Sequence, residues 1–322
     1  MKIKGKKILI TGATGLVGAN LSGRLQELGA DVFACGNTRG ILRYDLTQSA
    51  EAELLFEIAR PEIVIHLAAR VGGIHANMNA KAQFYEENAL INTNVITEAR
   101  SRGAKYIMAM GTGCAYPKRL EGLELSEEDY LEGAPEPTND AYAYAKRGML
   151  AHLAAAGEQD GLRYSYVIPA NIYGPGDNFH PLNSHVVPAL VRRFVEAKKT
   201  NAAEVIIWGD GAAYRDFLYI DDLTDAMLLV LENRFPGAVN VATGVPVSIC
   251  ELAQTIAGLA GYQGEIIYDA QKPAGQSIRL FNTEKIRALG FAPSRDLRAG
   301  LAATIAWYEK NYKGAKNAAA VC

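Results

Sequence analysis

The stretch MGTGCAYPK, residues 110–118, places a hydroxyl, Thr112, two positions before a thiol, Cys114, at the end of an apolar run. A hydroxyl there can orient a substrate oxygen by hydrogen bonding. An accessible thiolate can remove a proton from carbon next to a carbonyl. Inverting such a carbon needs a second group on the opposite face, and histidine suits because it titrates near neutral pH. The chain has five histidines: His66, His75, His152, His180 and His185. His66 ends a strand and reads as structural, and His152 shares a helix with Tyr142 but lies on a different face. His180 and His185 fall in GPGDNFHPLNSHVVPALVRRF, after the fifth strand-like run. In NDAYAYAKRGML, Tyr142 and Lys146 stand four apart, so a helix carries them on one face. An ammonium beside a phenol favours the phenolate, which is expected to let Tyr142 exchange a proton near neutral pH. Tyr144 competes, but only Tyr142 has a lysine at i+4.

These groups need a cofactor and a frame. ILITGATGLVGANL supplies Gly12, Ala13, Thr14, Gly15, Leu16, Val17 and Gly18, with the glycines spaced G-x-x-G-x-x-G. The first permits a tight turn, the second lets the backbone approach a pyrophosphate, and the third lets the helix pack close to the strand. A diphosphate then meets the helix N-terminus, where free N–H groups favour negative charge. The end of the second strand, ACGNTRG, has no acid for a ribose 2′-hydroxyl. Asn37 and Arg39 can accept a 2′-phosphate instead, which makes NADP the expected dinucleotide. In YDLT, Asp45 and Leu46 suit an adenine contact; Asp45 or Thr47 suits a helix N-cap equally well, and the two are compatible.

Runs at 7–11, 31–35, 63–66, 105–109 and 164–168 predict strands, with helical patterns near 16–29, 48–59, 84–101 and 143–156. Such alternation predicts an α/β fold: a Rossmann-type doubly wound parallel sheet. Beyond it, strand runs at 204–208, 216–220 and 265–268 alternate with helical patterns near 186–198, 222–232, 248–260, 283–289 and 296–312. They predict a smaller C-terminal α/β substrate lobe. The expected division is 1–170 plus about 216–242 for the dinucleotide domain and 171–215 with 243–312 for the lobe. Residues 313–322 form an aperiodic tail.

Composition narrows the class. With 49% apolar residues, 21% charged and a net charge of −2, the chain can bury a core but offers no nucleic-acid or polybasic membrane surface. An anionic substrate therefore needs a local arginine cluster. Cys35, Cys114, Cys250 and Cys322 have no metal or disulfide spacing, and there is no run of 18 apolar residues. The opening apolar run is too short for a signal peptide, so a cytoplasmic setting is expected.

TGATGLVG, the DL at 45–46, HLAA at 66–69, Thr112 and Tyr142-x-x-x-Lys146 resemble the extended short-chain dehydrogenase/reductase family. Where dehydratases of that family carry Asp-Glu after the hydroxyl residue, this chain has Gly113-Cys114. Longer matches, AARVGGIHANMNAKAQFYEENALINTNVI, GCAYPK, APEPTNDAYAYAK and NIYGPGDNFHPLNSHVVPALVRRF, resemble the GDP-L-fucose synthase family. The resemblance implies 3,5-epimerisation and NADPH-dependent 4-reduction of a GDP-4-keto-6-deoxy sugar. Cys114 falls on the family's epimerisation base and His185 on its acid. It implies cofactor contacts from Leu67, Ala68, Ala69, Pro169, Ala170, Asn171, Ile172 and His185 besides the loop, Tyr142 and Lys146. It implies substrate contacts from Asn171, Arg193, Trp208, Arg215 and Arg279. Helical spacing does not choose between Arg192 and Arg193; the resemblance favours Arg193. It also implies a homodimer joined through segments 84–101 and 143–156, whose Ala89, Leu90, Ile91, Val95, Met149, Leu150 and Leu153 suit either that contact or the core. The same features admit another GDP-4-keto sugar (a colitose precursor or a heptose), a reductase without epimerase activity, or an NADP-binding sensor. Three residues depart from the family: Thr112 and Gly113 stand where serines are usual, and Asn282 where aspartate is frequent.

Overall fold

The structure, a computed structural model, describes residues 2–36, 42–120, 122–181, 184–272 and 278–311. The strands are β1 (Lys7–Thr11), β2 (Asp31–Cys35), β3 (Ile63–His66), β4 (Tyr106–Met110), β5 (Glu124–Leu125), β6 (Arg163–Pro169) and β7 (Asn171–Tyr173). They continue as β8 (Glu204–Trp208), β9 (Tyr214–Tyr219), β10 (Gly237–Val241), β11 (Pro246–Ser248), β12 (Glu265–Asp269) and β13 (Leu280–Phe281). The helices are α1 (Leu16–Glu27), α2 (Ser49–Ala59), α3 (Ile74–Asn79), α4 (Lys81–Ser101) and α5 (Asp140–Asp160). They continue as α6 (Val186–Thr200), α7 (Ile220–Asn233), α8 (Ile249–Ala260), α9 (Glu284–Ala288) and α10 (Leu297–Asn311).

Six strands form one parallel sheet in the order β10-β6-β4-β3-β1-β2. All four residues of β3 and all five of β4 are buried, as expected where helices cover both faces of a parallel sheet. From β1 the chain steps to β2 on one side and returns to β3 on the other. That switch leaves a crevice at the carboxyl ends of the strands, where ligands bind in open α/β sheets. The Gly12 loop, Leu67–Ala69, Thr112–Cys114 and Ala170–Asn171 all emerge at those ends.

Buried apolar side chains form two clusters. One surrounds the large sheet; the other joins α6, α8 and α10 with β8 and β9. The sequence grouped residues 216–242 with the large sheet. The structure divides them: α7 and β10 pack there, but β9 lies in a three-stranded sheet between β11 and β7. Alternation along β9 sends Leu218 into the first cluster and Phe217 and Tyr219 into the second, so this strand joins the two. The unforeseen strands β5, β7, β11 and β13 have only two or three residues each, too few to show a period. β10 shows one polar break, Asn240, which is fully buried.

Candidate active site

The glycine loop has the geometry its spacing predicts. Gly12 has φ of 70°, and a Cβ there would lie 2.7 Å from Ala68 N. A Cβ on Gly18 would lie 2.3 Å from Gly12 O and 2.6 Å from Ala13 Cα, so only glycine lets α1 come this close. Among the described residues a Cβ on Gly15, the N-cap of α1, would meet only Gly12 O at 3.4 Å, which leaves room for close approach there. This cradle of bare backbone and helix N-terminus fits a dinucleotide diphosphate. Asn37 and Arg39 lie outside the described residues, as does the tail 313–322. Asp45 accepts hydrogen bonds from Thr47 N at 3.0 Å and Thr47 Oγ1 at 2.7 Å, a turn that leads into α2; the N-cap itself is Gln48. Leu46 is buried, and Asn94 Nδ2 donates to its carbonyl at 2.9 Å.

The turn that carries Thr112 and Cys114 leaves β4 as a single 3-10 turn, Gly113–Ala115. Thr112 caps it, its Oγ1 accepting from Cys114 N at 3.3 Å. Across the crevice floor, α5 presents Tyr142 and Lys146. Lys146 is only 2% exposed; its Nζ donates to Met110 O at 2.9 Å and lies 5.8 Å from the Tyr142 ring centroid. Burial lowers the Lys146 pKa to about 8. Tyr142 departs from expectation. Burial, then Cys114 and Tyr130, hold its hydroxyl above the ordinary tyrosine value rather than below it. Burial dominates over the nearby ammonium, so Tyr142 stands as a protonated donor.

Two tyrosines that sequence reasoning missed tie these parts together. Tyr130 Oη lies 3.3 Å from Thr112 N, 3.2 Å from Thr112 O and 3.1 Å from Tyr166 Oη, which donates to Lys146 O at 2.8 Å. Arg147 Nε donates to Ala115 O at 2.7 Å, fixing the other end of the turn to α5. His66 is structural: Nδ1 pairs with Thr11 Oγ1 at 2.8 Å and Nε2 with Asn92 Oδ1 at 3.1 Å, and burial lowers its pKa to about 3. Asn92, on α4, in turn donates to Ala145 O at 3.2 Å, tying α5 to α4. Tyr130 sits in an irregular segment, where no periodicity could have signalled it.

A short strap crosses this turn. β13 pairs with β5, and Asn282 N donates to Leu125 O at 3.0 Å. Buried Asn240 donates to Leu125 O at 2.9 Å and Asn282 O at 3.1 Å, bolting the strap to β10. The strap accounts for two departures. A Cβ on Gly113 would lie 2.6 Å from the Phe281 ring, so that ring fills the space a serine needs. Asn282 Nδ2 donates to Glu124 Oε2 at 3.2 Å, where an aspartate would set two carboxylates together. The added methyl of Thr112 has no evident structural reason. Arg279, at the start of the strap and 9% exposed, donates from Nη1 to Cys114 Sγ at 3.5 Å. Burial pushes the Cys114 thiol up, but the Arg279 charge and hydrogen bond, the Thr112 hydroxyl and the Arg215 charge bring it below the ordinary thiol value.

The remaining candidates are carried by β6, β7, β8, β9 and the start and body of α6. Arg215 is on β9, beside the bridge from Tyr214 to Ile278 in the strap. Arg193 donates to Ile206 O at 3.1 Å, two residues before Trp208, which is 53% exposed at the end of β8. Arg192 instead pairs with Glu196 at 3.1 Å. Pro169, Ala170, Asn171 and Ile172 run from β6 into β7; the Pro169 carbonyl would lie 3.6 Å from a Gly113 Cβ. His185 is the N-cap of α6, with no side-chain capping bond; the residue as a whole is exposed, while desolvation by the surrounding protein lowers its pKa.

Residues 8–242 match the NAD dependent epimerase/dehydratase family. The chain belongs to this family. GDP-L-fucose synthase 1 of Arabidopsis thaliana is 41% identical over 97% of this chain and 95% of its own. GDP-L-fucose synthase of Escherichia coli K12 is 39% identical over 95% and 97%. The crystal structure of a GDP-L-fucose synthetase from Naegleria fowleri bound to NADP superposes with a TM-score of 0.85 at 27% identity, over 98% and 97%.

Proposed function

We propose that this chain is an NADPH-dependent epimerase/reductase converting GDP-4-keto-6-deoxy-D-mannose to GDP-L-fucose, by inversion at C3 and C5 followed by reduction at C4. The observation that carries this reading is a second proton-handling group at the end of β4. Beside Thr112 and the protonated Tyr142 stands a thiol whose sulfur a buried guanidinium contacts. A simple reductase needs only the hydroxyl pair.

The C4 ketone accepts hydrogen bonds from Thr112 and Tyr142, which disperse negative charge on O4 when the neighbouring carbon loses its proton. Cys114 takes that proton, and His185 returns one from the opposite face. Bound NADPH supplies hydride to C4. Tyr142 then gives its proton to O4, and Lys146 stabilises the phenolate that remains. Arg193, Arg215 and Arg279 offer planar guanidinium groups to the diphosphate and ribose, and Trp208 offers an apolar face to the base. We assign the large sheet with α7 and β10 to the cofactor and the second cluster to the nucleotide sugar. The dinucleotide reading also draws on the glycine cradle and the NADP-bound relative.

We further propose a cytoplasmic homodimer. Among the described residues no helix is long and apolar enough to cross a membrane. α4 and α5 pack on each other, burying Val95, Met149, Leu150 and Leu153 within the subunit. Tyr85, Leu90 and Tyr144 remain exposed, as does Gly148, around whose Cβ position nothing among the described residues outside its own helix lies within 4 Å. That open face of small and aromatic residues suits a second copy of α4 and α5. The decisive assay incubates the protein with GDP-4-keto-6-deoxy-mannose in deuterated water without NADPH, then adds NADPH and identifies the product by NMR. Deuterium at C3 and C5 followed by GDP-L-fucose is expected. No exchange would remove the epimerase half, and no NADPH oxidation the reductase half.

A further inference from the structure

Binding a diphosphate does not account for where Arg279 points. Its Nη1 lies 3.5 Å from Cys114 Sγ, from a sequence position 165 residues away, and the side chain is 9% exposed. The placement is built rather than incidental. Arg279 and Phe281 alternate along the strap, so both face the catalytic turn: Phe281 against Gly113 and Arg279 against the next residue. The strap itself is fixed by β5, by Asn240 and by the Tyr116 ring, whose centroid is 6.0 Å from that of Phe281.

The groups around the sulfur can be enumerated from each element. Thr112 on the turn gives a hydrogen bond, and Arg215 on β9 gives a positive charge. Tyr142 on α5 and Tyr130 between β5 and α5 are phenols held protonated by burial, so neither adds negative charge. A half-buried thiol beside these phenols would stay largely protonated without a cation at contact distance. Arginine suits that task better than lysine, because it remains charged and does not surrender its proton to the sulfur.

We propose that Arg279 is a positioning residue that keeps the Cys114 sulfur ionised and aimed, so that the thiolate is ready before substrate arrives. This rests on the reading of Cys114 as the epimerisation base. In the step itself the substrate C–H bond breaks, an S–H bond forms, and the electron pair is left on the enolate delocalised to O4. The loss of thiolate charge releases the Arg279 hydrogen bond, and the proton later exchanges with water.

The test uses the full chain without substrate. The rate at which iodoacetamide alkylates the Cys114 peptide is followed by mass spectrometry against pH, for the wild type, Arg279→Met, Arg279→Gln and Arg279→Lys. Removing an opposite charge at this range is expected to raise the alkylation midpoint by about 1–3 pH units in Arg279→Met. Arg279→Gln, which keeps a donor without the charge, should follow Met and carries the test if the Met variant does not fold. Arg279→Lys should restore most of the shift. A midpoint in Met and Gln equal to that of the wild type overturns the proposal. Because no sugar is present, a shifted midpoint with no turnover of any GDP-4-keto sugar would leave this inference standing while removing the proposed function.

Discussion

Replacing Gly113 by serine tests the coupling between the strap and the catalytic turn. The new Cβ would sit 2.6 Å from Phe281 Cζ and 3.0 Å from Cε1. Carbon atoms pack at about 3.5–4.0 Å, so the ring must retreat by roughly 1 Å, and the strap with it. Overpacking of this kind costs about 1–3 kcal/mol. At about 2–4 °C per kcal/mol, thermal unfolding should fall by about 2–12 °C. Arg279 lies two residues from Phe281 on the same side of the strap, so the guanidinium should leave Cys114 as the ring leaves Gly113. Deuterium exchange at C3 and C5 is then expected to drop about tenfold, as for a lost charge-assisted contact. Phe281→Leu removes the ring atoms that collide. The double variant should therefore recover both stability and exchange, with a coupling energy of about 1–2 kcal/mol in the cycle. Calorimetry and NMR exchange measure the two halves. Strictly additive effects, or a Gly113→Ser protein with unchanged unfolding and exchange, would refute the claim that Phe281 and Gly113 compete for one space.

Tyr142→Phe should lower NADPH oxidation by about 10²–10⁴-fold while leaving deuterium exchange measurable; unimpaired reduction would rule out Tyr142 as donor. Lys146 loses its charge as pH rises through about 8, because burial has lowered its pKa, so the ammonium proposed to stabilise the Tyr142 phenolate is present below that pH and absent above it. Stopped-flow reduction should accordingly decline above pH 8, and a rate that is flat to pH 10 would contradict the role. Gly148→Arg on the open face of α5 should convert a dimer to a monomer by light scattering with little loss of monomer fold, since among the described residues nothing beyond its own helix lies within 4 Å of the added Cβ; an unchanged mass would place any dimer contact elsewhere.

Much of the frame is written locally. β1, β2, β3, β8 and the course of nearly every long helix follow from runs of apolar residues and their period. The glycine loop is equally explicit, because only glycine tolerates the 2.3 Å approach at Gly18 and the left-handed turn at Gly12. The i, i+4 spacing brings Tyr142 and Lys146 to one face of α5 without any knowledge of the rest of the chain.

Beyond those features, the tertiary structure decides. Sequence paired Lys146 with Tyr142 and expected an acidic phenol; packing aims the ammonium at Met110 O and buries both groups, so the phenol keeps its proton. Sequence offered Arg279 as one cation among several for a diphosphate; the strap carries it to a sulfur 165 residues away. Spacing also gave no sign of the Tyr130–Tyr166 connection or of Phe281 filling the space beside Gly113. Backbone geometry and periodicity are properties of neighbours along the chain, so the sequence states them directly. Desolvation and the meeting of distant charges depend on which surfaces the fold brings together, and no local pattern contains that.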